Sequence, residues 1–278
     1  MAPNRWRRYE KTMNCRAFPL LALPLALTLA VTAVPALASP GYADLAELTL
    51  AAPVIVRARI IDVERISAKQ APGLAADRAR LLVTAAVDAA LVAPGATPAR
   101  LQWLWDATLD PRGKPPKPKG LIVLAWLTAP ASDGKTQLLS RQAQQPHDTA
   151  LESRIRAIAA EARGGGVPVI TGVANGFRAD GSVPGESESQ FFLTAADGKG
   201  VTLVVTARPG EVRRVTVASG DVIDESATPV RRDTLLWYRL ACFLPATLPV
   251  AAGGKDKALA ADWQAALASL GPCGRGGQ

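Results

Sequence analysis

Alternating apolar and polar positions mark out most of the chain after residue 50. Val54, Val56, Ala58 and Ile60 fall on one side of a strand pattern, with Arg57 and Arg59 on the other. The phase slips at Ile60-Ile61, which predicts a bulge or sharp bend. A second strand is predicted over about Arg78–Leu91, where Ala79, Leu81, Val83, Ala85 and Val87 alternate. A third covers Leu101, Trp103 and Trp105, apolar at every second position. The run 121–129 (LIVLAWLTA) is apolar on both faces and so predicts a central strand. A short fifth strand is placed around Gln137–Arg141. The periodicity turns helical at 43–50, where Leu45 and Leu48 share a face. It turns helical again after His147-Asp148: Thr149 and Glu152 have capping-box spacing, and Leu151, Ile155, Ile158 and Ala162 form an apolar stripe.

Beyond Gly164-Gly165-Gly166 the pattern is strand-rich: VPVITGV, SQFFLTA, GVTLVVTAR, EVRRVTVAS and DVI. Asp197-Gly198 and Pro209-Gly210 predict two tight hairpins. The tail is helical. Asp233 is placed as cap of a helix carrying Leu236, Leu240 and Phe243, stopped by Pro245. Asp256 is placed as cap of a second, with Leu259, Trp263, Leu267 and Leu270 on one stripe and Gly271-Pro272 at its end.

A helical turn, five strands with the first one bent, and a closing helix make up the order that closes a small Greek-key barrel. The segments ADLAELTLAAPVIVRARIIDVERI, ARLLVTAAVD and LIVLAWLTA, with the helix after Gln142–His147, resemble the OB-like barrel of netrin/TIMP-type modules over roughly 41–162. Those modules carry cysteines that tie the first strand to the last loop. This sequence has none there, so inhibitory chemistry built on an N-terminal cysteine does not carry over. The whole chain also resembles uncharacterised exported alphaproteobacterial proteins, a likeness that implies export and no activity. The expected fold class is mainly β (α+β): a signal peptide at 1–38, an OB-like five-stranded barrel with its closing helix at 39–163, a small antiparallel β domain at 167–228, and a C-terminal helical tail at 229–278.

Export changes how the charge is read. A basic stretch, Arg5–Arg16, precedes an apolar run from Phe18 to Leu37, and Ala36 and Ala38 form the small-residue pair that a signal peptidase needs before Ser39. Pro19, Pro24 and Pro35 make the run a poor permanent membrane span. Met13 opens a shorter leader, so Met1 and Met13 are both candidate starts. Glu10 follows Arg7-Arg8 where a twin-arginine signal wants an apolar residue, which favours the general secretory route. Cys15 lies before the apolar run and is no acylation site.

The chain is 49% hydrophobic and 20% charged, with a formal net charge of +8. Of its 32 basic and 24 acidic residues, five and one fall within 1–38, leaving +4 for residues 39–278. So small a surplus gives solubility rather than a nucleic-acid partner. Cys242 and Cys273 remain as an even pair, which in an oxidising compartment reads as a disulfide between neighbouring helix ends.

No motif carries a convincing active centre. His147 is the only histidine, too little for a zinc site, and sits where a solvated pre-helix residue belongs. Ser187, in Gly185-Glu186-Ser187-Glu188-Ser189, approaches G-x-S-x-G, but Ser189 replaces the last glycine and two carboxylates flank the hydroxyl. Glu186, Glu188, Asp221, Asp224 and Glu225 form an acidic set without calcium-loop spacing. The loop Asp110–Gly120 gathers Arg112, Lys114, Lys117 and Lys119 among prolines, flanked by Trp103, Trp105 and Trp126. Such a stiff basic rim on an OB-like barrel suits an anionic surface. The expectation is a periplasmic or secreted, non-catalytic binding module without cofactor or metal, for an envelope protein or anionic polymer, with no permanent span. The rival classes are a hydrolase using Ser187 and His147, a carboxylate-based glycosidase, and a structural envelope protein.

Overall fold

Alternation along the chain becomes two antiparallel five-stranded sheets and four α-helices in the computed structural model, which describes residues 40–219 and 227–275. The leader and the DVI segment lie outside the described residues. After α1 (Tyr42–Ala51) come β1 (Val54–Arg65), β2 (Arg78–Val92), β3 (Arg100–Thr108), β4 (Ile122–Leu127), β5 (Gln144–Pro146) and α2 (Thr149–Gly164). The first sheet has the order β3-β2-β1-β4-β5 and curls into a half-barrel. β1 pairs with both β2 and β4, and its register against β2 slips between Ile60 and Asp62, at the expected break in phase. Inside the curl, Val56, Ala58, Ile60, Val83, Ala85, Leu101, Trp103, Ala125 and Leu127 form one core, all nearly inaccessible. Truncating any of the large ones to Ala would cost about 2–5 kcal/mol.

Three expectations shift by a few residues. The fifth strand lies at Gln144–Pro146 instead of Gln137–Arg141. The expected segment keeps only an isolated bridge, Leu138 to Leu127; the turn in which the Ser140 carbonyl accepts the Ala143 N–H at 3.1 Å interrupts it, and the strand follows. α2 is capped by Asp148, one residue before Thr149, with its Oδ1 accepting the Leu151 N–H at 2.8 Å. Its buried stripe ends on Ala159, and Ala162 is exposed.

The second sheet runs β10-β9-β8-β7-β6, from β6 (Ile170–Asp180), β7 (Ser187–Ala195), β8 (Val201–Ala207), β9 (Arg214–Ser219) and β10 (Thr228–Pro229). Gly198 and Gly210 take φ of 72° and 76°, which provides the left-handed residue of each predicted hairpin turn. α3 (Leu235–Phe243) and α4 (Lys257–Leu270) cover one face. Thr234 caps α3 in place of Asp233, which sits at φ 57°; Leu235, Trp237, Tyr238 and Leu240 face inward, and Phe243 is 42% exposed. Asp256 caps α4 as expected, accepting from the N–H groups of Ala258 and Leu259.

One continuous apolar cluster joins α1, β1, β4 and α2 to the second sheet, α3 and α4, with Trp126, Phe191 and Trp263 among its largest fully buried side chains. Ser39–Gln278 accordingly form one compact unit. Two ties reinforce it, one covalent and one polar. Cys242 and Cys273 form a disulfide with a Cα–Cα distance of 4.9 Å, joining the end of α3 to the residues after α4. Asp262 of α4 is 1% exposed and accepts from Arg178 of β6 and from Ser189 Oγ of β7 at 2.7 Å. Arg213 Nε lies 2.9 Å from the other oxygen as a charge contact without hydrogen-bond alignment. No helix among the described residues is long and apolar enough to cross a membrane.

Candidate functional site

Outward-facing residues of β2 and β3 form a three-rung ladder. Arg80 stands opposite Asp106, Leu82 opposite Leu104, and Thr84 opposite Gln102. Each rung closes with its own chemistry. Arg80 donates through Nε and Nη2 to both oxygens of Asp106, at 2.7 and 2.8 Å, a bidentate pair. Leu82 and Leu104 sit between, with Leu104 47% exposed. Gln102 Nε2 donates to Thr84 Oγ1 at 2.9 Å. The chain returns past this ladder at residues 135–141, and the space between is a groove of about 670 Å³. Arg80, Lys135 and Arg141 line it against a single lining carboxylate, Asp106.

The hydrogen bond from Arg80 dominates at Asp106 and, with Arg141 and Arg78 nearby, holds its carboxyl below the usual range despite partial burial. Arg78 also donates to the Asp106 carbonyl at 3.2 Å. Lys135 is tied to Asp133, whereas Arg141 is exposed with no ion pair among the described residues.

The basic loop 110–120 begins two residues after β3 ends. Asp110 folds its first half: Oδ1 accepts the N–H groups of Arg112 and Lys114 at 2.9 and 2.8 Å, and Gly113 turns at φ 72°. Arg112, Lys114, Lys117 and Lys119 are all exposed, and Lys119 reaches Asp62 at 3.5 Å. The tryptophans are placed differently from the loop. Trp103 is 1% exposed in the half-barrel core, its indole N–H donating to Gln144 Oε1 at 2.7 Å. Trp126 is buried with its N–H on Thr49 Oγ1, and Trp105 is partly buried on the core side of β3.

Histidine and serine are not brought together. The His147 ring bonds through Nε2 to Glu152 Oε2 at 2.8 Å, and Arg57 and Arg156 donate to the same carboxylate at 3.1 and 2.8 Å. Burial pushes the Glu152 carboxyl up, but the hydrogen bonds from Arg156, His147 and Arg57 outweigh it and hold it at about 2. It is therefore an ionised brace between β1 and α2. Ser187 is 4% exposed within β7, opposite Asp180 and Ala207, and offers no accessible nucleophile. Glu188 accepts from Gln190 Nε2 at 2.8 Å, and the 221–225 carboxylates of the acidic set lie outside the described residues. Among the described residues no three His, Cys, Asp or Glu side chains converge as metal ligands.

Sequence reading missed the groove because its pairs lie 18 or more residues apart and form only once the β2–β3 register is set. The even-numbered parity of Arg80, Leu82 and Thr84, opposite to the buried positions, was the one available signal. No protein-family model matches the chain, and no curated protein matches it as a relative.

Proposed function

We propose that this chain is an exported, non-catalytic binding protein whose β2–β3 groove, with the adjoining basic loop, receives an anionic partner. The observation that supports the reading is the groove: about 670 Å³ with Arg80, Lys135 and Arg141 around a Leu82–Leu104 floor. Exposed apolar surface rimmed by cations suits a ligand with both acidic and apolar groups. The placement of Ser187 and His147 supports binding over hydrolysis. The OB-like resemblance supports it too, because such barrels use the strand 2–3 face and neighbouring loops for ligands. Export is supported by the basic, apolar and small-residue order of 1–38 and by the Cys242–Cys273 disulfide. An intact mass of the native product beginning at Ser39 is the expected outcome.

Binding is tested with fluorescein-labelled poly-L-glutamate titrated into the protein at low and high salt. Removing Lys135 and Arg141 together (K135S/R141S) takes away two partly solvated charges of about 0.7 kcal/mol each, so the affinity falls about tenfold. The loop variant with Arg112, Lys114, Lys117 and Lys119 changed to Ser is expected to lose affinity as well. Salt-insensitive binding, or equal affinity in all three proteins, refutes the reading.

A further inference from the structure

The half-barrel is open along one seam, and both edges of that seam carry backbone groups with no backbone partner among the described residues. Gln102 exchanges hydrogen bonds with the returning chain: its N–H donates to the Gly134 carbonyl and its carbonyl accepts from Thr136, both at 2.9 Å. Gln102 therefore turns its amide groups away from β2. In an antiparallel pair that direction recurs at every second residue. The flanking bonds Val87 N–H to Ala99 O and Leu109 N–H to Asp77 O fix the phase. Leu104 and Asp106 thus point their amide groups the same way as Gln102, but the returning chain has already left: the parallel bridge Gln102–Lys135 is isolated. The Leu104 N–H and C=O and the Asp106 N–H take part in none of the described backbone hydrogen bonds. Across the seam, the Gln137 carbonyl accepts from Thr128, just past β4, and the Leu139 N–H donates to Trp126 of β4. Leu138 between them turns its own N–H and C=O away from β4, toward the gap.

We infer that an extended acidic peptide segment binds by adding as a strand to the open edge of β3 at Leu104–Asp106, in the groove bounded by residues 136–141. This deepens the proposed binding function and rests on it. Strand addition satisfies main-chain donors and acceptors, and pockets for alternate side chains give the preference. The two faces of the site set that alternation. Outward lie exposed Arg141, which holds no ion pair among the described residues, and exposed Lys135, whose solvent-facing tie to Asp133 an acidic side chain can share; Arg80 is already taken by Asp106. Inward, on the other face of β3, lies partly buried Trp105, which takes apolar side chains. A segment alternating Asp or Glu with Val or Ile matches both.

The test uses the full mature protein and a synthetic peptide alternating Asp and Val, beside a twin of equal charge N-methylated at alternate amides. The expected result is at least about tenfold tighter binding of the parent, because the twin cannot donate the main-chain hydrogen bonds of strand addition. Amide exchange at 104–106 and 138 slows when the parent is bound. L104P supplies a second arm. Its lost N–H makes no bond to β2, and edge strands tolerate proline at such positions. Folded L104P is expected to lose the parent peptide while still binding poly-L-glutamate. Should the variant not fold, the peptide pair and exchange decide alone. Equal binding of the two peptides, or no slowing of exchange at 104–106, overturns strand addition and leaves charge-driven binding standing. Failure of both poly-L-glutamate and the peptides overturns the binding function itself.

Discussion

Glu152 offers the sharpest quantitative consequence of the structure. Its side chain is 10% exposed and meets three donors: Arg57, Arg156 and His147. Their combined effect lowers its carboxyl from 4.5 to about 2. Each pH unit of such a difference corresponds to about 1.4 kcal/mol, and half-exposed Arg156 is partly screened, so ionised Glu152 contributes about 2–3 kcal/mol at neutral pH. The sign follows from the lowered value. The contribution is fully present above the unfolded value of 4.5 and disappears as pH falls from there toward 2. E152Q keeps the shape and one acceptor but never ionises. Urea unfolding followed by tryptophan fluorescence should show the variant less stable by about 2–3 kcal/mol at pH 7. That difference should narrow steadily below pH about 5 and nearly vanish near pH 2. A gap that stays constant with pH, or widens in acid, would refute the argument that the charge is what these three donors stabilise.

Two further outcomes follow from the fold. Cys242 and Cys273 close a loop with a sequence separation of 31, so C242S/C273S should lower stability by roughly 3–4 kcal/mol, read as a shift in the urea midpoint, with the largest gain in amide exchange at the end of α3. An unshifted midpoint would remove the staple from the account. Gly134 combines φ of 80° with a Cβ position 2.6 Å from the Arg100 carbonyl, whereas Gly73 has φ of 77° and open space. G73A should cost only about 1 kcal/mol of backbone strain, and G134A clearly more, because the clash pushes apart the Gly134–Gln102 junction that closes the half-barrel. Equal costs would mean that this junction is not tightly held.

Much of the architecture is written locally. In β2 and β3 every second residue is apolar, so strand identity and the buried face follow from a period of two without reference to the rest of the chain. The Asp256 cap and the Asp-Gly and Pro-Gly turns are equally local, whereas the Cys242–Cys273 pair was legible only because two cysteines remain after residue 38 and leave one pairing. Where two capping residues stand side by side, as at Asp148-Thr149 and Asp233-Thr234, propensity does not choose between them. The backbone does: Asp148 and Thr234 take the extended dihedrals of a cap, whereas Asp233 sits at φ 57° outside its helix.

By itself, then, the order of residues determined a mainly β chain with helical ends, a disulfide-tied tail and a basic loop after the third strand. Tertiary structure alone decided which charges meet. Arg80 finds Asp106, and Glu152 finds Arg57, only through strand register and helix docking across many residues. It also decided that the returning chain at 134–139 leaves β3 after one bridge, opening the seam. The physical reason is range. Periodicity and turn chemistry act over a few residues and survive in the bare sequence, whereas a groove exists only once distant backbones have settled their spacing.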